Sequence, residues 1–328
     1  MPRFTRLIAP VAVLLVLLLA GCGGSATSTP AATTAPTKAP AAASSAASTT
    51  AATGAPSATV GATIAPTAAS TAAPAGTTAA SSATTGTVAT TSGTLTVFAA
   101  ASLTESFTEI KGVFEKANPG VTVQYNFGGS PTLVTQLTQG APADVFASAD
   151  QPNMDNAVKG GVIAGTPQLF AKNKLVIIVP KENKAGITTP KDLAKPGVKF
   201  DTAQMSVPVG AYTQTALDNF SKLPDYGPDF KAAVNKDTVS QEDNVKAIVQ
   251  KVQLGEVDAG IVYTTDAQAA KDKLTIIAIP DAQNVIATYP IALVKNAKQA
   301  ALGQKFVAYL LSADGQAILQ KYGFAPGT

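Results

Sequence analysis

The sequence changes character near residue 94, and this change decides which part of the chain can fold. Residues 23–93 consist almost wholly of Ala, Thr, Ser, Pro and Gly, with Lys38 as their one charged residue and no aromatic residue. Such a segment buries too little apolar surface to offset the entropy of its own chain, so it is predicted to be a disordered tether. A packed fold is therefore expected from residue 94 onward.

Residues 1–22 have the features of an export signal. Two arginines are followed by an apolar run, Leu7–Ala20, which is too short to cross a bilayer comfortably, and then by glycine and Cys22. This arrangement resembles a bacterial lipoprotein signal. We expect Cys22 to carry lipid and to anchor the protein to the membrane on the extracytoplasmic side. The alternative for this cysteine is an ordinary buried position.

The inventory of charged and catalytic residues excludes several classes of function. The chain contains no His and one Cys, which rules out His/Cys zinc sites and nucleophiles activated by His. Of the 24 Lys and Arg residues, Arg3, Arg6 and Lys38 precede residue 94, whereas none of the 21 acidic residues does. The folding part is thus formally neutral, so a nucleic-acid partner is not expected.

From residue 94 onward, short β-branched or aromatic runs alternate with amphipathic stretches, which is typical of an α/β fold with parallel sheets. The length fits one large domain or two small ones. Helices are predicted at Leu103–Lys116 and Val245–Leu254. Strands are predicted at Leu95–Ala99, Val121–Phe127, Val145–Ala149, Leu175–Val179, Ala259–Tyr263, Leu274–Ile279 and Tyr289–Val294.

Several predicted strands lead directly into a helix start. Ser102 and Glu105 have the spacing of a capping box. Ser130 is predicted to cap a second helix, because the proline that follows it favours the first helical position. Further starts are predicted near Gly210 and at Ser240. Helix N-termini present unpaired N–H groups that suit a small anion. Capped helices are also ordinary in every α/β protein, so local pattern alone leaves both an anion site and plain capping open.

Four motifs stand out in this part of the chain: Val97–Thr104, Gly140–Gln151, Gly260–Tyr263 with Asp266–Ala267, and Lys321–Phe324. They resemble the periplasmic molybdate-binding proteins of ABC transporters, and the similarity extends over residues 94–328. This family has the type II periplasmic binding protein fold, in which two α/β lobes with mostly parallel sheets are joined by hinge strands. The resemblance implies one lobe from residues 94–178 plus 286–328 and a second from residues 179–285.

The resemblance also implies which residues hold the ligand. In this family, hydroxyl and backbone N–H groups alone bind the oxyanion. The corresponding residues here are Ser102, Ser130, Val209, Val245 and Tyr263. Asn244 is the alternative to Val245 as a backbone donor. Glu242 and Asp243 would repel an anion, so they are expected to stabilise a helix N-terminus while facing away from it.

The expected function is capture of molybdate or tungstate between the lobes and delivery to a membrane permease. Molybdenum would be held only as its oxyanion, without a cofactor, and the protein would be a monomer and not an enzyme. Sulfate, another oxyanion or ferric ion remains open as the ligand. Two other classes also remain open: a carboxylate-based hydrolase of the envelope and a cell-surface adhesin on a stalk.

Overall fold

The computed structural model describes residues 92–327. The predicted signal segment at 1–22, the lipid site at Cys22 and all but the end of the tether at 23–93 lie outside the described residues. The first strand begins at Gly93, the last residue assigned to that tether. No helix between residues 92 and 327 combines the length and the hydrophobicity that a membrane span requires.

Eleven strands and nine helices alternate along this part of the chain. The strands are β1 Gly93–Ala100, β2 Val121–Gly128, β3 Val145–Ala147, β4 Ile163–Asn173, β5 Leu175–Pro180, β6 Phe200–Ala203, β7 Thr238–Glu242, β8 Ala259–Tyr263, β9 Leu274–Ala278, β10 Ala287–Val294 and β11 Ala325–Pro326. The helices are α1 Thr104–Ala117, α2 Ser130–Thr138, α3 Gln151–Lys159, α4 Pro208–Ser221, α5 Phe230–Lys236, α6 Val245–Leu254, α7 Thr264–Ala269, α8 Ala300–Leu311 and α9 Ala313–Lys321. Short 3-10 turns cover Ala101–Leu103 and Pro190–Ala194.

The strands form two sheets, and each sheet is the centre of one lobe. The first has the order β11-β4-β10-β3-β1-β2 and the second the order β7-β6-β8-β5-β9. Strands β2, β1 and β3 are parallel, as are β7, β6 and β8, whereas the other neighbours pair antiparallel. The expected parallel pairing therefore holds within these two triplets, and the outer strands make both sheets mixed.

The chain passes between the two sheets twice. It leaves the first sheet after β4 and enters the second at β5, and it returns in the segment between β9 and β10. We call the first sheet with α1, α2, α3, α8 and α9 lobe I, and the second sheet with α4 to α7 lobe II. The sequence-based boundary placed most of β5 in lobe I. That placement is wrong, because β5 pairs with β8 and β9 of the second sheet.

An aromatic cluster in lobe I fixes helix α1 against its sheet. The Phe107 ring lies 5.6 Å from that of Tyr125, and 6.0 Å from those of Phe170 and Phe306, measured between centroids. Phe107 is fully buried, and burying such a side chain contributes roughly 1.5–3 kcal/mol to folding. Because α1 follows the 3-10 turn directly, this packing also holds Ser102 in place at the end of β1.

Candidate functional site

The carboxyl ends of both parallel triplets meet at one small cavity between the lobes. Lobe I contributes the segments that follow β1, β2 and β3, and lobe II contributes the segments that follow β6 and β7 together with the end of β8. Ligands of open α/β sheets bind outside the carboxyl ends of such strands. The cavity leaves roughly 10 Å³ for the centre of a water-sized sphere, about enough for one water molecule, which is far below the roughly 300–1,000 Å³ of sites for drug-sized molecules. Its size suits a small ion.

All five sequence-predicted residues line this cavity, and Asn244 lines it as well. Two of them come from lobe I and three from lobe II, so a ligand here would contact both lobes. The five are Ser102, Ser130, Val209, Val245 and Tyr263. The structure thus brings the predicted residues together, and their role in binding stays a prediction.

Three of the residues that line the cavity, drawn from both lobes, carry buried hydroxyl groups. Ser130 Oγ accepts a hydrogen bond of 3.1 Å from the Ala149 N–H, which leaves the Ser130 proton free to be donated. Ser102 Oγ lies 3.0 Å from the hydroxyl of Tyr289. The Tyr263 hydroxyl is buried and has no hydrogen-bond partner among residues 92–327. A buried donor without a partner is costly, so this hydroxyl fits a site that a ligand completes.

The Tyr263 hydroxyl is a neutral donor. Burial raises the pKa of Tyr263 well above its ordinary value, and the neighbouring hydroxyl and carboxyl groups act in the same direction. The phenol therefore keeps its proton throughout the physiological range and can donate it to an anion.

Two helix starts in lobe II add backbone donors. Helix α4 begins with Pro208, which has no N–H, and the N–H groups of Gly210 and Ala211 donate to the Val207 carbonyl. Within this first turn, the Val209 N–H is left without an acceptor inside the helix. Its position in the cavity wall makes it a candidate ligand donor.

Helix α6 favours Val245 over Asn244 as the other backbone donor. Asn244 is the N-cap, and its Oδ1 accepts from the N–H groups of Lys246 and Ala247 at 2.9 and 3.2 Å. These two donors are therefore used by the cap. The Val245 N–H, at the first helical position, remains for a ligand.

None of the described residues that line the cavity is charged. Lys246 follows the lining residue Val245 in sequence without lining the cavity itself, and its Nζ is 2.7 Å from Glu105 and 2.9 Å from Asp266 Oδ1. Glu105 is in α1 of lobe I, whereas Lys246 and Asp266 are in lobe II, so this pair of contacts also links the lobes. An anion in the cavity would be held by dipoles of neutral groups rather than by a salt bridge.

Three predicted capping roles are wrong. Ser130 is the first residue of α2 and not its N-cap, which is Gly129 and provides no side-chain cap. Ser102 lies inside the 3-10 turn, and α1 begins after it at Thr104 without a side-chain cap. Ser240 does not start a helix: it belongs to strand β7, which pairs with β6, and the cap of α6 is Asn244.

The role predicted for Glu242 and Asp243 is also wrong in part. Neither residue lies in the first turn of α6, which contains no acidic residue. Glu242 ends β7 and forms an ion pair with Lys251 at 2.6 Å. Neither residue lines the cavity, so both are kept away from a bound anion, as expected.

Of three further residues that shape the site, sequence reasoning missed two and anticipated the third. Tyr289 contacts Ser102 from strand β10, Lys246 joins the two lobes, and Gly129 lies against the backbone of Asp243 across the cleft. Two adjoining glycines at 128 and 129 did signal a close approach of backbone. The other two contacts join residues far apart in sequence, for which no local signal exists.

Two lobes joined by two crossovers, with a cavity for a small ion between them, define the class of two-lobed solute-binding proteins. The sequence agrees, because the family described as bacterial extracellular solute-binding protein matches residues 95–325. The molybdate-binding protein ModA of Mycobacterium tuberculosis is 42% identical over 231 residues, which cover 70% of this chain and 84% of the relative. A candidate ABC transporter substrate-binding lipoprotein, YvgL, of Bacillus subtilis is 34% identical over 233 residues, covering 70% and 85%.

Solved structures show the same fold. The periplasmic molybdate-binding protein of Azotobacter vinelandii superimposes with a TM-score of 0.61 at 20% identity, over 71% of this chain and all of the other. The type II periplasmic binding protein fold expected from the motifs is thereby confirmed. The chain belongs to the bacterial extracellular solute-binding protein family and, within it, groups with the molybdate-binding proteins.

Proposed function

We propose that this protein captures molybdate, or the closely similar tungstate, as the substrate-binding component of an ABC importer. The observation that carries the proposal is the meeting of neutral donors from both lobes around one uncharged cavity, where the Tyr263 hydroxyl has no partner among the described residues. The similarity to molybdate-binding proteins supports molybdate as the ligand.

A cavity with donors alone favours a fully deprotonated anion. Molybdate, tungstate and sulfate present only acceptor oxygens near neutral pH, and each can take a hydrogen bond from every donor around it. A protonated phosphate would bring a hydrogen that needs an acceptor, and each unmatched buried polar group costs about 1–3 kcal/mol. The site therefore selects by protonation state first and by size second, so sulfate is the competitor to test.

Neutral donors also suit reversible transport. Many fixed dipoles can hold a desolvated anion, yet no buried ion pair with the ligand has to be broken when the lobes separate. We propose that closure around the anion creates a joint surface of both lobes that a permease recognises. In this account the protein works as a monomer that binds without a chemical step and without a cofactor.

Isothermal titration calorimetry tests the ligand site. Molybdate is expected to bind more tightly than sulfate and phosphate, and Ser102→Ala or Ser130→Ala is expected to weaken molybdate binding by about ten- to a hundredfold. This range follows from the roughly 1.5–3 kcal/mol carried by a hydrogen bond to a charged group.

Ser106→Ala is the matched control for these variants. Ser106 is equally buried, but its hydroxyl donates to the Leu103 carbonyl and does not line the cavity. Its affinity for molybdate should equal that of the unmodified protein. Unchanged affinity in both Ser102→Ala and Ser130→Ala would contradict the site.

We further propose that the protein reaches its membrane through lipid on Cys22, with the tether giving the lobes reach above the surface. The basic start, apolar run and Leu-Ala-Gly-Cys sequence support this anchor. Labelling of growing cells with a radioactive fatty acid should mark the full chain and fail to mark a Cys22→Ser variant. An unlabelled protein with Cys22 intact would refute the anchor.

A further inference from the structure

A hydrogen bond between two residues that do not line the cavity joins the lobes. Asn153, in the first turn of α3 in lobe I, donates from its Nδ2 to the backbone carbonyl of Ser206 in lobe II at 3.2 Å. Asn153 is 5% exposed, so water competes little for its amide. Because a carbonyl oxygen can only accept, the nitrogen of the amide must face Ser206, and chemistry alone fixes the direction of this hydrogen bond.

Lobe I orients the Asn153 amide through its own residues. Asp150 is the N-cap of α3, and its Oδ1 accepts from the Asn153 backbone N–H at 3.0 Å. Both carboxylate oxygens of Asp150 also lie 2.9 Å from Asn153 Nδ2. Asp150 is buried and accepts in addition from the Ser148 hydroxyl at 3.2 Å. These contacts all lie within lobe I, so they can orient the amide whether or not lobe II is in contact with it.

The carbonyl that accepts this hydrogen bond belongs to the turn that leads to a candidate ligand donor. Ser206 lies between β6 and α4. The residues that follow it, Val207, Pro208 and Val209, line the cavity. The Val209 N–H is three residues further along the chain than Ser206. Contact with Asn153 therefore restrains the position of that donor relative to lobe I.

The start of α3 is connected to a candidate donor of lobe I as well. Ala149, directly before Asp150, lines the cavity and donates from its N–H to Ser130 Oγ at 3.1 Å. The short segment from Ala149 to Asn153 thus contacts Ser130 in lobe I and Ser206 in lobe II. It joins a candidate donor of one lobe to the turn that carries a candidate donor of the other.

We propose that Asn153 is a positioning residue that docks the turn before Val209 onto lobe I when the lobes close on an anion. Asp150 holds the Asn153 amide in the required orientation, and the Ser206 carbonyl accepts from it only in the closed arrangement. The hydrogen bond favours closure without touching the ligand, so it slows release of the anion. This proposal rests on the function proposed for the cavity.

Binding and release of molybdate by the full chain test the proposal. Asn153→Ala is expected to weaken binding about three- to tenfold, the effect of losing one neutral hydrogen bond. Release of radioactive molybdate into an unlabelled excess should become faster by the same factor. The association rate should be unchanged, because the anion meets separated lobes before the hydrogen bond forms. Unchanged affinity and release in Asn153→Ala would overturn the proposal.

Asn153→Ser separates the contact between the lobes from the contact within lobe I. A serine hydroxyl can still donate to Asp150, but the side chain is too short to reach Ser206. Affinity and release in Asn153→Ser should therefore match those of Asn153→Ala. Normal release in Asn153→Ser would show that the contact with Asp150 alone matters, and the interlobe role would be lost.

Asn118→Ala is the matched control for both variants. Asn118 is also buried, and its Nδ2 donates to the backbone carbonyl of Phe114 at 2.7 Å, but both residues belong to lobe I. The affinity and the release rate of Asn118→Ala should equal those of the unmodified protein. Equal losses in Asn118→Ala and Asn153→Ala would contradict a role that depends on joining the lobes.

A crystal structure of the open, ligand-free protein gives a readout that does not depend on binding. The Asn153 amide should keep its contacts with Asp150 there, while its distance to the Ser206 carbonyl exceeds that of a hydrogen bond. An amide that turns away from Asp150 once Ser206 has moved off would contradict the proposed orientation. Failure of the unmodified protein to bind molybdate would instead refute the proposed function, so the two outcomes are separable.

Discussion

Gly129→Ala is expected to weaken molybdate binding by about a hundredfold or more while it leaves the ligand-free protein folded and stable. A Cβ at this position would overlap the backbone carbonyl oxygen of Asp243, which belongs to lobe II. Gly129 itself has φ −64° and ψ 137°, which alanine adopts without strain. The conflict is therefore confined to the closed arrangement of the lobes.

The size of the expected loss of affinity follows from the fraction of Gly129→Ala molecules whose lobes can close. If the closed form is disfavoured a hundredfold, the apparent dissociation constant rises by about the same factor, because the ligand needs donors from both lobes. Calorimetry measures the affinity. Small-angle scattering should show that excess molybdate compacts the unmodified protein and leaves the variant extended.

Gly112→Ala separates closure from general effects of adding a methyl group. Gly112 lies in helix α1 with open space around the position of a Cβ. Alanine there should raise the free energy of unfolding by up to about 1 kcal/mol through helix propensity and should leave the affinity unchanged. Normal affinity in Gly129→Ala would show that the contact with Asp243 is not part of the ligand-bound state.

Lys246→Met is expected to lower the free energy of unfolding by about 3 kcal/mol. The ammonium group lies 2.9 Å from Asp266, whose side chain has no exposed surface, and 2.7 Å from Glu105, whose side chain is 37% exposed. Methionine keeps the apolar stem but removes the charge. Asp266 would then be left as a buried carboxylate without its counter-charge.

The loss of unfolding free energy in Lys246→Met should increase as the pH rises. Burial raises the pKa of Asp266, and Lys246 opposes that rise. Without Lys246 the folded-state pKa moves further above the unfolded value, so the cost of ionising Asp266 grows as the pH rises from the unfolded pKa through the folded one. Denaturant unfolding should therefore show a larger difference in unfolding free energy between Lys246→Met and the unmodified protein at pH 8 than at pH 5.

Glu105→Gln is the companion variant for Lys246→Met. It removes the other carboxylate of the same cluster, but Glu105 is partly exposed and water can solvate what remains, so a loss of about 1 kcal/mol or less is expected. An additional Asp266→Asn substitution should recover part of the stability of Lys246→Met. Equal losses in Lys246→Met and Glu105→Gln would contradict the role assigned to the buried carboxylate.

Two of the sequence-predicted residues that line the cavity lie at strand-to-helix turns. Ser102 and Ser130 follow β1 and β2, and the motifs around them are short and continuous, so a local pattern was enough to find them. Their convergence with Tyr263 could be expected only from the family resemblance, because spacing alone does not show which strand ends meet.

The features that were missed depend on pairing between distant segments. Ser240 and Asp243 have the spacing of a helix cap, yet Ser240 lies in β7 because that strand finds a parallel partner in β6. Strand β4 carries several polar residues and was not predicted, and its partners β10 and β11 come much later in the chain. The hydrogen bond between Ser102 and Tyr289 spans 187 positions and has no signature in the local sequence.

Crystals grown with molybdate, measured at the molybdenum absorption edge, test the central claim most directly. The account predicts one anomalous peak in the cavity between the lobes, with molybdate oxygens within hydrogen-bonding distance of the hydroxyls of Ser102, Ser130 and Tyr263. A peak elsewhere, or an anion held by Lys or Arg side chains, would contradict it.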